Sequence, residues 1–166
     1  MKTIAIEKLT LNIGAGKDQT KLDHGVTLLQ NITGIRPVKT ITKKRIPEWG
    51  LRPGLPIGCK LTLRGKKAEE LLKRLLEAKE NKLLKKQFTQ DGNISFGIPE
   101  YIDIGQMKYD PKIGIMGLEV CVTLQRPGFR VKRRNYLKRK IPKNHKINAE
   151  DAMGFMEKKY SVDVGE

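Results

Sequence analysis

The sequence predicts an α+β fold: a single mostly antiparallel sheet of about five strands, helices packed on one face, and the other face open. Three observations carry this. Short runs such as "KLTLNIG" and "GCKLTLRG" alternate with the period of half-buried strands. The segments "DQTKLDHGVTLLQNITG" and "KKAEELLKRLLEAKENKLLKK" space their leucines as helices do. The elements run strand, helix, strand, strand, helix, strands, tail, without the regular strand–helix alternation of a parallel α/β sheet. The 166 residues are enough for one domain with a small appendage.

Taken in order, the chain opens with "IAIEKLTLNIG". Ile4 and Ile6, then Leu9, Leu11 and Ile13, are apolar. The phase slips at Glu7–Lys8, where a bulge would absorb it. Gly14-Ala15-Gly16 turns the chain into a helix capped by Asp18, striped by Leu22, Val26, Leu29 and Ile32, and closed by Gly34. "IRPVKTITKKR" alternates weakly and is a second strand. "KKRIPEWGLRPGLPIG" holds three prolines and three glycines, so a long loop is expected. "GCKLTLRG" is a short strand. The clearest helix follows, with Leu71, Leu72, Leu75 and Leu76 inward, and Asn81 is a natural point for a separate turn to begin. "NISFGI", "EYIDI" and "MGLEVCVTLQ" are expected strands. The last is nearly all apolar from Leu118 to Leu124, which suits burial on both faces. From Arg126 to Lys146 there are ten Lys or Arg and no acid. "NAEDAMGFMEKKY" then reads as a short helix capped by Asn148, with Glu150 or Asp151 in its first turn. The expected division is residues 1–125 as an α+β domain and 126–166 as a basic arm and short helix, packed on or extending from it.

Charge narrows the function. Lys and Arg number 34 against 18 acids, a formal +16. That excess repels itself and gains nothing in folding, so it points to a polyanionic partner, with nucleic acid first. An anionic membrane is the rival, but no basic amphipathic helix with bulky apolar residues stands out. No apolar run approaches the roughly 18 residues that span a bilayer, and the N-terminal stretch lacks one of signal-peptide length. Cys59 and Cys121 are far apart without metal-ligand spacing, and both are expected to be reduced and buried in a cytosolic protein. His24 and His145 have no ligand or triad partner nearby. An enzyme on RNA or nucleotides would have to rest on Asp103 and Asp110, which flank no motif. No catalytic residue, metal, cofactor or homo-oligomer is expected.

Alternation also assigns faces. In the first strand Leu9, Leu11 and Ile13 point one way and Lys8, Thr10 and Asn12 the other. In "GCKLTLRG", Leu61 and Leu63 oppose Lys60, Thr62 and Arg64. Both polar faces run cation, threonine, longer hydrogen-bonding side chain. Such a platform suits sugar hydroxyls and phosphates, and its lack of aromatics suits structured RNA better than stacked single strands. Gly14-Ala15-Gly16-Lys17 fails both phosphate templates. Asp18 stands where a P-loop needs Ser or Thr, and Gln19 stands where a dinucleotide fingerprint needs its third Gly. A tight strand-to-helix turn remains, with RNA as the source of any phosphate it meets. The loop carries Lys43, Lys44, Arg45, Trp49 and Arg52. Trp49 either covers the domain's own edge or stacks on an RNA sugar or a protein partner. The arm, with Arg126, Arg130, Lys132, Arg133, Arg134, Lys138, Arg139 and Lys140, is expected to neutralise RNA. Phe129 and Tyr136 either stack or pin the arm to the core.

The segments "KLTLNIGAG", "NITGIRPVKT", "KKRIPEWGLRPGLPIGCKLTLRG", "NISFGI" and "RPGFRVKRR" together resemble the universal L-five family of large-subunit ribosomal proteins, in order and over nearly the whole chain. "LRPGLPIGCKLTLRG" is the most specific of them, and the tail is similar to the archaeal and eukaryotic branch. The resemblance implies a structural ribosomal protein of the cytoplasm, without catalysis. It would bind 5S rRNA in the central protuberance through the open sheet face, at Lys8, Thr10, Asn12, Thr62 and Arg64, with Lys60 beside them. It also implies that the loop from Lys43 to Pro56 approaches the P-site tRNA, and that part of the surface bridges to a small-subunit protein. Further large-subunit rRNA and neighbouring ribosomal proteins are implied partners. Ile35 departs from the polar residue common in bacterial members after the "TG". An RNA chaperone of the same fold outside the ribosome is the alternative.

Overall fold

The computed structural model describes residues 1–105 and 107–165. The elements are β1 (Ala5–Gly14), α1 (Gln19–Thr33), β2 (Val38–Ile41), β3 (Pro56–Leu63), α2 (Lys66–Glu77), β4 (Lys82–Leu84), β5 (Ile94–Ile98), β6 (Leu118–Gln125), α3 (Arg130–Arg133), α4 (Ala149–Tyr160) and β7 (Asp163–Gly165). The fold is α+β, with a mostly antiparallel five-stranded sheet in the order β2-β3-β1-β6-β5 and a small parallel pair, β4-β7. The chain forms two compact units. The first holds Met1–Leu9, Arg64–Phe96 and the chain from Cys121 onward; the second holds Thr10–Leu63 and Gly97–Val120.

In the second unit α1 packs on β3. Asp18 caps α1 by accepting from the Thr20 and Lys21 N–H groups, and Gly34 closes it in the left-handed region. Its buried face is Leu22, Gly25, Leu28, Leu29 and Ile32, while Val26 is only half-buried. The expected stripe therefore lies slightly off the real one. Gly25 and Leu28 take the centre because the helix runs close to β3: a Cβ on Gly25 would come 3.2 Å from Cys59 Sγ and 3.3 Å from Ile13 Cγ2. Gly58 is tighter, since a Cβ there would meet the Ile13 carbonyl at 2.7 Å. β3 starts earlier than expected, at Pro56, and pairs antiparallel with β2 through Val38↔Lys60 and Lys39↔Cys59.

In the first unit α2 buries Ala68, Leu71, Leu72, Leu75 and Leu76. It stops at Glu77, short of the expected extent. Glu80 and Asn81 both have φ of 55°, which no helix continues through. Residues 82–84 then form β4, pairing with β7 through Leu83↔Val164. α4 buries Ala152, Met156 and Tyr160 and is tied to α2 by Lys159–Glu69 at 2.9 Å. Burial, with Glu69 nearby, pushes the Tyr160 hydroxyl up to about 12.

"EYIDI" is a 3₁₀ turn at Tyr101–Asp103, not a strand. Tyr101 is wholly buried, its hydroxyl accepting from the Asp110 N–H at 2.9 Å. β6 is not buried on both faces: Leu118, Val120, Val122 and Leu124 are buried, but Glu119 and Cys121 are exposed. The valines and leucines all share one phase, and Cys121 only looked like core because it stands between two of them. Cys59 is buried as expected, and burial pushes its thiol up to about 11. No helix among the described residues is long and apolar enough to cross a membrane.

Candidate nucleic-acid interface

The polar positions of β1 and β3 fall where alternation puts them. In the second unit Ile13 and Cys59 both face α1, so Thr10, Asn12, Lys60 and Thr62 lie on the far side of the sheet. Lys60 and Thr62 are exposed, and Thr10 and Asn12 are half-buried. The Asn12 side-chain amide donates to Glu119 Oε2 at 3.0 Å. An acid therefore stands among the polar groups, one that reading β6 as core concealed. Its effect is to hold the Asn12 amide nitrogen toward Glu119, which leaves the amide oxygen as an acceptor.

The first unit carries the other two members, Lys8 and Arg64, and a second carboxylate. Glu7 is mostly buried and accepts from Arg133 Nη1 at 2.6 Å, with Arg64 Nη1 at 3.7 Å. Arg64 also donates to the Glu7 carbonyl at 3.3 Å, and Arg133 reaches Gln125 Oε1 at 2.9 Å. Arg133 and Arg64 come from segments far apart in sequence and are anchored on one residue at the phase slip of β1. Glu7 looked like an irregularity of the strand, and its partners were invisible to local pattern.

The arm is not without counter-charges. Arg126 is 8% exposed, donating to the Lys146 carbonyl at 2.8 Å and to Asp151 Oδ2 at 2.9 Å. Its guanidinium is turned into the protein, unlike those of Arg130 and Arg134. Lys146 lies 3.8 Å from Asp91. Lys132, Lys138, Arg139 and Lys140 are exposed, with no acid within ion-pair reach among the described residues. The aromatic question splits. Phe129 packs edge-on against His145 with ring centroids 5.8 Å apart, pinning the arm, whereas Tyr136 is 80% exposed.

The loop of the second unit is pinned by hydrogen bonds at its base and near its tip. Thr42 anchors its base through its N–H and hydroxyl, both donated to the Leu55 carbonyl, while Ile46 and Leu51 bridge nearer the tip. Pro47–Trp49 makes a 3₁₀ turn closed by Gly50 at φ 65°. Lys43, Lys44, Arg45 and Arg52 are exposed, and Trp49 is 65% exposed, so it does not cover the domain's own edge. At the glycine turn, Ala15 and Gly16 both donate their N–H groups to the Ile57 carbonyl, at 2.9 and 3.0 Å. The two donors that a phosphate cradle would use are thus spent inside the fold.

Ile35 is exposed just past α1. Among the described residues no cluster of His, Cys, Asp or Glu could hold a metal.

The match to "Ribosomal protein L5" covers residues 1–52, and the match to the C-terminal region of the same ribosomal family covers residues 56–155. This chain belongs to the ribosomal protein L5 family. Similar relatives are the large ribosomal subunit protein uL5 of Sulfurisphaera tokodaii, 47% identical over 100% of this chain and 94% of its own length, and that of Nanoarchaeum equitans, 48% identical over 99% and 97%. The uL5 protein of Methanobrevibacter smithii is 43% identical over 98% and 95%. Membership of the L5 family makes the chain a structural, non-enzymatic constituent of the large ribosomal subunit, associated with rRNA in the cytoplasmic ribosome.

Proposed function

We propose that this L5-family chain binds 5S rRNA in the central protuberance. Lys8, Thr10, Asn12, Lys60, Thr62 and Arg64 are its contacts on the sheet. The loop from Lys43 to Pro56 approaches the P-site tRNA, with Trp49 offered for stacking, and a further surface meets a small-subunit protein. Residues 1–125 carry the sheet contacts, and 126–166 supply an arm that neutralises phosphates. The observation that carries the reading is that Thr10, Asn12, Lys60 and Thr62 share one side of the sheet, opposite the face that packs on α1, with Lys60 and Thr62 exposed there. Hydroxyl, amide and ammonium groups there match the sugar and phosphate edges of structured RNA.

The test is a filter-binding titration of 5S rRNA at fixed salt. Asn12→Ala and Thr62→Ala should each weaken binding by roughly 1–3 kcal/mol, the cost of leaving a partner unsatisfied. A double variant that binds as wild type would remove the sheet from the reading. Co-sedimentation with large subunits at moderate salt checks residence in the particle.

A further inference from the structure

In the first unit the arm and the strands border a half-open hollow of about 1190 Å³. Its floor includes Ser95, Cys121 and Thr123, which alternate along β5 and β6 with the buried Phe96, Val120 and Val122. Phe129 and Ile141 of the arm supply apolar wall. The rim is cationic: Lys132, Lys138, Arg139, Lys140 and Lys143 line it and have no acid within ion-pair reach among the described residues. The two acids at the cavity are already engaged, Glu7 with Arg133 and Asp91 with Lys146.

A hollow of this kind has a different ligand from an open sheet. An A-form duplex keeps its bases stacked inside and its phosphates outside, so it could touch the rim and leave the floor empty. The volume is ample for a single mononucleotide-sized group, since small-ligand sites run roughly 300–1,000 Å³. Hydroxyls and an aromatic ring in the hollow suit a base, and the cationic rim suits the phosphates on either side of it. We propose that the cavity seats one unstacked nucleotide of the bound RNA, its flanking phosphates on the Lys138–Lys140 side of the rim and its base against Thr123, Cys121 and Phe129. This rests on the RNA-binding reading above and adds to it a single-stranded subsite.

Cys121 makes the test direct. It is exposed in the cavity while Cys59 is wholly buried, so iodoacetamide on the native full-length chain reports the cavity alone. Saturating 5S rRNA should slow Cys121 alkylation at least tenfold, and 4-thiouridine-substituted RNA should crosslink from one nucleotide to the peptide holding Cys121. Ser95→Trp, which fills the floor from an exposed strand position, should weaken RNA binding at least tenfold with an unchanged melting temperature. An unchanged alkylation rate while filter binding shows RNA bound would overturn the subsite and leave the RNA reading standing. Equal protection by a blunt RNA duplex would also overturn it, as would protection by free nucleoside monophosphates alone, which assigns the cavity to a soluble nucleotide. Absence of RNA binding in the filter assay removes the broader reading, and the subsite with it.

Discussion

Asp18 shows how much one side chain settles. It ends the glycine turn and starts α1 by accepting two backbone N–H groups. Those bonds, with that of Lys21 foremost, hold its carboxyl below the usual 3.8. A depressed carboxyl stabilises the fold above its ordinary value and loses that contribution as pH falls through the lowered one. Asp18→Ala should therefore melt at a lower temperature than wild type at neutral pH. Paired thermal scans should show the gap closing as pH drops below 3.8. Asp18 was legible because a cap is a local feature. Glu7 and Glu119 were not, for different reasons. Glu119 shares the phase of Cys121 and Thr123 on β6 and could have been found had that strand been read with period two. Glu7 takes its meaning from Arg64 and Arg133, and nothing in "IAIEK" announces them.

At the scale of elements, the arm contains cations of two kinds, and substitution should separate them. Arg126 is buried against Asp151 and the Lys146 carbonyl, fastening the start of the arm to the start of α4. Arg126→Ala leaves those acceptors without their charged donor and should cost roughly 2–3 kcal/mol in chemical denaturation. Lys138, Arg139 and Lys140 face outward. Their joint replacement by Ala should leave stability near wild type while flattening the dependence of log K on log salt, by about one unit for each phosphate that the arm no longer neutralises. A shallower slope for Arg126→Ala, with unchanged stability, would reverse this assignment. The sequence pattern revealed the arm's charge but not this division, because burial of Arg126 depends on an acid 25 residues further on. The same limit explains 82–87. Leucines there continue a helical count, yet Leu83 is claimed by pairing with Val164, a neighbour no local window contains. Strands and helices with strong periods, such as β1, β3, α1 and α2, were legible because burial of one face is enough to impose them.

For the whole molecule, a formal charge of +16 sets the conditions under which the free protein holds together. Self-repulsion opposes the folded state when no polyanion is present, and salt screens it. The melting temperature of the RNA-free protein should therefore rise between low and moderate ionic strength, as followed by calorimetry. A fall would mean that the described ion pairs, Arg133–Glu7 among them, outweigh the repulsion. The two units also differ in how they are threaded. The second is complete in sequence once residue 120 has been made, whereas the first needs its opening strand, its middle segment and everything from Cys121 onward. During vectorial synthesis the second unit can therefore close while the first still waits. Glu7 is translated early, yet its partner Arg133 follows only 126 positions later. Until then the opening of β1 lacks the guanidinium that later anchors the arm, and the nascent chain acquires its cationic cavity last.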